Sequence, residues 1–171
     1  MDPKIIDRKF RQNKLRYVFQ CGLAGLCMLA VLLFLNVLEH TALLASLGST
    51  AFVIFTVPHS YLSRPRPVIG GYLVAIAAGG PCHEMQVYGP LSTLTGPESS
   101  LIVFGALAVA AAIFLMALTN TEHAPAAGVA LGLVLNTWDY ATLSFIFGAC
   151  LFFSLMRWVL KDRLMDLIRH E

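Results

Sequence analysis

Reading the chain for runs of apolar positions and the polar breaks between them gives six apolar segments, at 17–38, 43–57, 68–80, 101–118, 124–138 and 140–160. About 20 residues at ~1.5 Å rise cover the ~30 Å hydrocarbon core of a bilayer, so the first, fourth and sixth segments are long enough to span. The second, third and fifth hold 15, 13 and 15 residues and reach only about 20–22 Å. Their ends must therefore start below the membrane surface, and the loops that lead into them should penetrate the protein. The expected fold is an all-α polytopic membrane protein of about six membrane helices. Motif loops lie between them, and a span, a polar motif and a short helix occur twice as an internal repeat.

Composition agrees with this pattern. Hydrophobic residues make up 57% of the chain and charged residues 13%, with a mean hydropathy of +0.72, a balance that no soluble domain could keep dry. The first run follows a strongly basic leader and lacks a small-residue cleavage site, so it reads as a retained span. Residues 1–16 form a basic amphipathic interfacial segment, with Ile5, Ile6 and Phe10 able to dip into the lipid headgroups. Residues 17–160 form the membrane domain, with Gln20 and Asn36 expected at headgroup depth. Residues 161–171 form an amphipathic tail whose Leu160, Leu164, Leu167 and Ile168 make a helical stripe. Residues 81–100, with three prolines, two glycines and no basic residue, read as a loop.

The net charge of +2 matters less than its distribution. All 12 Lys and Arg fall in the leader, in the pair Arg64 and Arg66, and in the stretch from Arg157 to Arg169. The positive-inside rule puts these three groups in the cytoplasm, with both termini, and suits a bacterial inner membrane. Charge alone does not choose between six crossings and four crossings with two re-entrant segments, because both keep every basic residue on one side. The 81–100 loop, free of Lys and Arg, favours six.

Cys21, Cys27 and Cys150 sit inside apolar runs and Cys82 lies near a loop, a spacing that suggests neither a disulfide framework nor a zinc site. No Ser/His/Asp set, HExxH motif or pair of intramembrane carboxylates points to an enzyme, and no cofactor, metal or nucleic-acid partner is expected. The partners expected are a small inorganic anion, membrane lipid and a second copy of the chain, as a dimer.

The chemistry concentrates in two stretches, 58–80 (PHSYLSRPRPVIGGYLVAIAAGG) and 119–138 (TNTEHAPAAGVALGLVLNTW). In each, a proline-bent polar entrance leads into a helix start rich in small residues. A buried helix start offers unpaired N–H groups and the positive end of the helix dipole to an anion. Gly70 and Gly71 after Pro67, with Ala126 and Gly128 after Pro125, would let an ion touch the backbone. Arg66, and Arg64 beside it, could add charge-assisted hydrogen bonds, or could equally anchor a cytoplasmic loop. His123 could bind an anion when protonated or relay a proton, or serve as a helix cap. Ser49 and Thr50 could donate hydroxyls to the same ion, or bond their own helix. The bundle reads either as a small-anion permease or as a non-catalytic interaction or sensor-anchor subunit. Paired short Gly/Pro-interrupted segments favour the permease.

At these stretches the sequence resembles the HPP family of small integral membrane proteins. The likeness rests on Gly48-Ser49-Thr50-Ala51, Pro58, Ser60, Pro65-Arg66, Val68-Ile69-Gly70-Gly71 and residues 119–128. The naming motif reads His123-Ala124-Pro125, with Ala124 in place of its first proline. Tyr72 stands where the family leads one to expect histidine, and Pro67 where it leads one to expect asparagine. Plastid and cyanobacterial members are associated with nitrite transport, so the resemblance implies a small-oxyanion transporter. Some members carry a regulatory CBS domain after the membrane part. The chain ends 11 residues after its last span, so no such module is expected.

Overall fold

The computed structural model describes residues 10, 12–33 and 41–168. Most of the basic leader, and the expected end of the first span, lie outside the described residues. Among the described residues seven helices follow in order: α1 Lys14–Leu32, α2 Thr41–Thr56, α3 Pro65–Tyr88, α4 Pro90–Thr95, α5 Pro97–Thr119, α6 Ala124–Leu135 and α7 Tyr140–Leu160. A 3-10 turn, Tyr61–Ser63, lies between α2 and α3. The described residues contain no strand. By length and composition α1, α5 and α7 can cross a membrane, while α2 and α6 are shorter and apolar. Asp139 caps α7, its Oδ1 accepting from the Thr142 amide at 2.7 Å and hydroxyl at 2.8 Å. Those two bonds hold the carboxyl below its usual range.

Two expectations need correction. The third helix is not a 13-residue segment followed by a loop: it starts at Pro65, passes through Pro81 and ends at Tyr88. Its 24 residues reach about 36 Å. An internal proline forfeits one ladder bond, and here tertiary packing carries the helix on, with Gly79 against α6 and Cys82 buried. The 81–100 stretch is accordingly almost all helix. Its breaks fall at Gly89 and Gly96, the latter at φ +88°, and each is followed by a proline that opens the next helix.

The second correction concerns the tail. Lys161–Arg163 form a turn, and residues 164–167 are irregular rather than helical, with Leu164 and Leu167 buried. Gln20, expected at headgroup depth, is the reason. It is 1% exposed, and its amide pairs with both backbone groups of Met165, Nε2 to the carbonyl and Oε1 from the N–H, each at 3.0 Å. The same Nε2 reaches Phe55 O at 2.9 Å. The Leu167 N–H donates to Thr56 O at 2.8 Å, and the Tyr17 hydroxyl to Leu167 O at 2.7 Å. A helical backbone would spend those groups on itself.

These bonds also fix direction. The start of α1, the ends of α2 and α7 and the tail meet at one end of the bundle. Arg157 Nε joins them to Pro58 O at 2.9 Å, and Arg66 joins the start of α3 to Thr119 O at the end of α5. The six long apolar helices therefore alternate up and down. Every described Lys and Arg, namely Lys14, Arg16, Arg64, Arg66, Arg157, Lys161 and Arg163, stands at this one end. Glu84, Glu98 and Asp139 stand at the other.

At the centre α3 and α6 run parallel, flanked by α5 against both and by α2 against α6. Gly71 lies against His123 and Ala126, and Gly79 against Ala130 and Leu133. On α5 it is Ala108 and Ala112 that are buried, while Ala106 and Ala110 face outward.

Candidate functional site

The two motif stretches meet. Because α3 and α6 are parallel, their N-termini sit side by side at the basic end, as the repeated sequence pattern required. The 57–64 and 120–123 connections fold over them. In the first, Ser63 Oγ bonds Val53 O and Val57 O and the Ser60 side chain caps the 3-10 turn. In the second, Asn120 takes the left-handed conformation at φ 52°, and its carbonyl accepts from the Tyr61 hydroxyl at 2.6 Å.

At the junction lies a buried chain of hydrogen bonds. His123 Nδ1 is 3.1 Å from Leu62 O, its Nε2 is 3.0 Å from Thr50 Oγ1, and Thr50 Oγ1 is 2.8 Å from the Tyr72 hydroxyl. His123 is 1% exposed, and Thr50 and Tyr72 are 0% exposed. The carbonyl of Leu62 can only accept, so Nδ1 carries the proton and donates. In the neutral ring Nε2 then accepts from the Thr50 hydroxyl, whose oxygen accepts in turn from Tyr72. Direction is therefore fixed: Tyr72 to Thr50 to His123, and His123 to Leu62. Burial pushes the His123 pKa down to about 4, against a smaller upward pull from Leu62 O. A second proton on the ring would turn Nε2 from acceptor into donor, and the Thr50 O–H would lose the acceptor it has there.

Of the residues singled out from sequence, His123 and Thr50 come together in this chain, with Gly71 and Ala126 packed beside them. Gly70 faces Thr121, so closely that a methyl there would collide with the Thr121 side chain. Gly70 and Gly71 are the sixth and seventh residues of α3, because the helix begins three residues before the expected start. Their N–H groups lie within the helical ladder rather than among its free first-turn donors. The two prolines at 65 and 67 leave Arg66 as the amide of the first three positions of α3, since the Val68 N–H already donates to Arg64 O.

The remaining candidates lie apart from the junction. Gly128 faces Ser46 of α2, Ser49 is exposed and bonds Ala45 O of its own helix, and Arg64 stands 6.0 Å over the Tyr61 ring. Arg66 is exposed at the rim and reaches Thr119 O at 3.3 Å. A hollow of about 370 Å³, bordered by Ser49, Phe52, Val53, Ala124 and Pro125, opens next to Thr50 and His123 in sequence. Sequence reasoning missed Tyr72 as a participant. Its signal was present, since it is the position at which the chain departs from the histidine that the resemblance leads one to expect.

Among the described residues no group of three His, Cys, Asp or Glu side chains could hold a metal. His83 packs on the Trp138 ring, with centroids 5.3 Å apart.

Residues 10–162 match the model of the HPP transmembrane region. A Dictyostelium discoideum protein described as a transmembrane protein is 28% identical over 121 residues, which cover 70% of this chain and 40% of that protein. The chain thus spans less than half the length of that curated relative. No solved structure matches.

Proposed function

The chain belongs to the HPP transmembrane family, and from that premise we propose that it carries a small inorganic anion, nitrite or an oxyanion of similar size, across the membrane. The observation that carries this reading is the side-by-side, parallel placement of the α3 and α6 starts at the basic end. Two like dipole ends held together repel, and an anion relieves that repulsion. Arg66 at the rim supplies the attracting charge. The positive-inside rule assigns this end to the cytoplasm.

Nitrite uptake into proteoliposomes, compared with protein-free vesicles, tests the proposal. Uptake above the protein-free rate, reduced in Arg66→Ala with folding intact, supports it. A native protein that moves none of nitrite, nitrate, formate and chloride overturns it.

That second outcome would favour a non-catalytic interaction subunit, a reading with its own observation. The seam between the two motif stretches is filled, with Gly70 against Thr121, Gly71 against His123 and Ala126, and Gly79 against Ala130 and Leu133, while hollows lie outside it, beside α1 and between α2 and the start of α6.

A further inference from the structure

A membrane protein that passes an anion must offset its charge along the way, and the described core offers no fixed cation to do so. None of the described Lys and Arg is buried. The buried polar side chains are Gln20, six serines and threonines beside Thr50, and His123. Arg64 and Arg66 are exposed and engaged elsewhere, over Tyr61 and on Thr119 O. First-turn amides are scarce as well: Pro65, Pro67 and Pro125 have none, and that of Ala126 is 2.8 Å from His123 O. The buried group at the junction that can become positive is the imidazole of His123.

We infer that the anion crosses together with one proton, and that His123 holds that proton while the anion is beside it. This deepens the small-anion reading and rests on it. The groups facing the ring are the Thr50 hydroxyl from α2, Tyr72 and Gly71 from α3, and the Leu62 carbonyl from the 3-10 turn. Cys150 of α7 stands near Tyr72. On the ring's own segment Thr121 is buried and bonds Thr119 Oγ1 at 2.7 Å, and Glu122 is partly exposed. None of the groups facing the ring from neighbouring helices carries a fixed charge.

In the empty site the ring is neutral, because a proton there takes away the acceptor of the Thr50 O–H as well as burying a charge. An anion next to the ring reverses that balance: the imidazolium and the anion neutralise each other, and Tyr72 or Thr50 turns its hydroxyl to the anion. Each ligand therefore raises the affinity for the other, as linkage demands. The proton balance is simple. One proton enters with the anion and resides on Nε2, the anion and proton leave on the far side, and the ring returns to its Nδ1–H form. The net event is electroneutral.

The experiment uses full-length protein in vesicles loaded with a pH-sensitive dye and sodium nitrite as the probe, with potential clamped by potassium and valinomycin. The expected result is one proton entering per nitrite above the protein-free leak, at a rate indifferent to the clamped potential. His123→Gln keeps an acceptor for Thr50 and a donor for Leu62 but cannot titrate. It should fold as the native chain does and lose the proton-coupled component. Thr50→Val, which leaves the ring in place and removes its acidic-side partner, should shift the pH profile of uptake toward higher pH.

Nitrite uptake that is driven by potential with no proton movement overturns the inference and leaves the transport reading standing. Proton-coupled uptake retained in His123→Gln overturns the assignment to His123. No uptake above the protein-free rate removes the transport reading and this inference with it.

Discussion

The seam between α3 and α6 and the seams that α1 makes with α2 and α7 are built from the same kind of residue and come out opposite. On α3, Gly70, Gly71 and Gly79 lie so close to α6 and the connection that leads into it that a methyl at any of them would press on Thr121, His123 or Ala130. On α1 and its neighbours, Gly22, Gly25, Gly48 and Gly148 have nothing within 4 Å of the position a methyl would take. Instead there are hollows of about 310 Å³ between α1 and α7, at Ala30, Val31 and Phe145, and about 360 Å³ between α1 and α2, at Ala24, Gly25 and Gly48. A glycine is therefore a packing residue in one seam and an open position in the other. In lipid, where tails are as apolar as leucine, close van der Waals approach holds helices together, so the first seam is the structural centre and α1 a peripheral element.

The sharpest way to break this contrast is at Gly79. A Cβ there would stand 2.8 Å from Ala130 O and 3.0 Å from Ala130 Cα, both backbone atoms that cannot swing aside. Gly79→Leu should cost about 3 kcal/mol or more by overpacking and leave little folded protein, as monodispersity in detergent would reveal. A folded, monodisperse variant with native melting behaviour would mean that the seam yields.

The same seam predicts a pH effect through His123. Its folded pKa of about 4 lies below the ordinary 6.5, so the unfolded chain takes up the proton first as pH falls. Stability is fully present above 6.5, declines as pH falls from there toward about 4, and levels off below. The loss is of order 3 kcal/mol at most. Thermal melts across this range should show it in the native chain and lack it in His123→Gln. Equal acid sensitivity in both would place the effect on other groups.

How much of this was legible beforehand differs element by element. Six apolar runs, their alternation and the meeting of the two motifs could be read because hydrophobic length and charge placement are properties of local sequence. The end of α7 at Leu160 fell where its pattern said. Pro81 was misread as a stop because the cost of an internal proline is local, whereas the packing of Gly79 and Cys82 that outweighs it is not. Of the site, His123 and Thr50 were visible as residue types. Tyr72 and the Leu62 carbonyl were not, since no periodicity reveals which hydroxyl or carbonyl a fold brings to a ring. The tail misled for the same reason: its stripe is real, but Gln20, 145 residues away, decides its backbone.

Gln20 is the polar stitch of the looser seam, and removing it tests what α1 contributes. Gln20→Leu is close in volume but leaves the N–H and carbonyl of Met165 without their partner. Buried groups left unpaired cost ~1–3 kcal/mol each, less where water reaches them. A loss of about 2 kcal/mol is expected, with the tail becoming open to limited proteolysis after Lys161 while the α3 and α6 core stays protected. Core and tail failing together would show that α1 is not peripheral.

The smallest effect sharpens the comparison most. Gly25→Leu places an isobutyl group into the hollow between α1 and α2 rather than against another helix. It also exchanges a helix-interior glycine for a good helix former, a gain of up to about 1 kcal/mol. Stability should therefore hold or rise slightly, where the equivalent change at Gly79 is ruinous. Light scattering in mild detergent separates the two ways in which this outcome can fail. A variant that loses stability at unchanged mass would mean that α1 and α2 close over the hollow. One that loses mass as well would mean that a second copy of the chain normally occupies it, so that α1 looks loose only because half of its seam belongs to a neighbour.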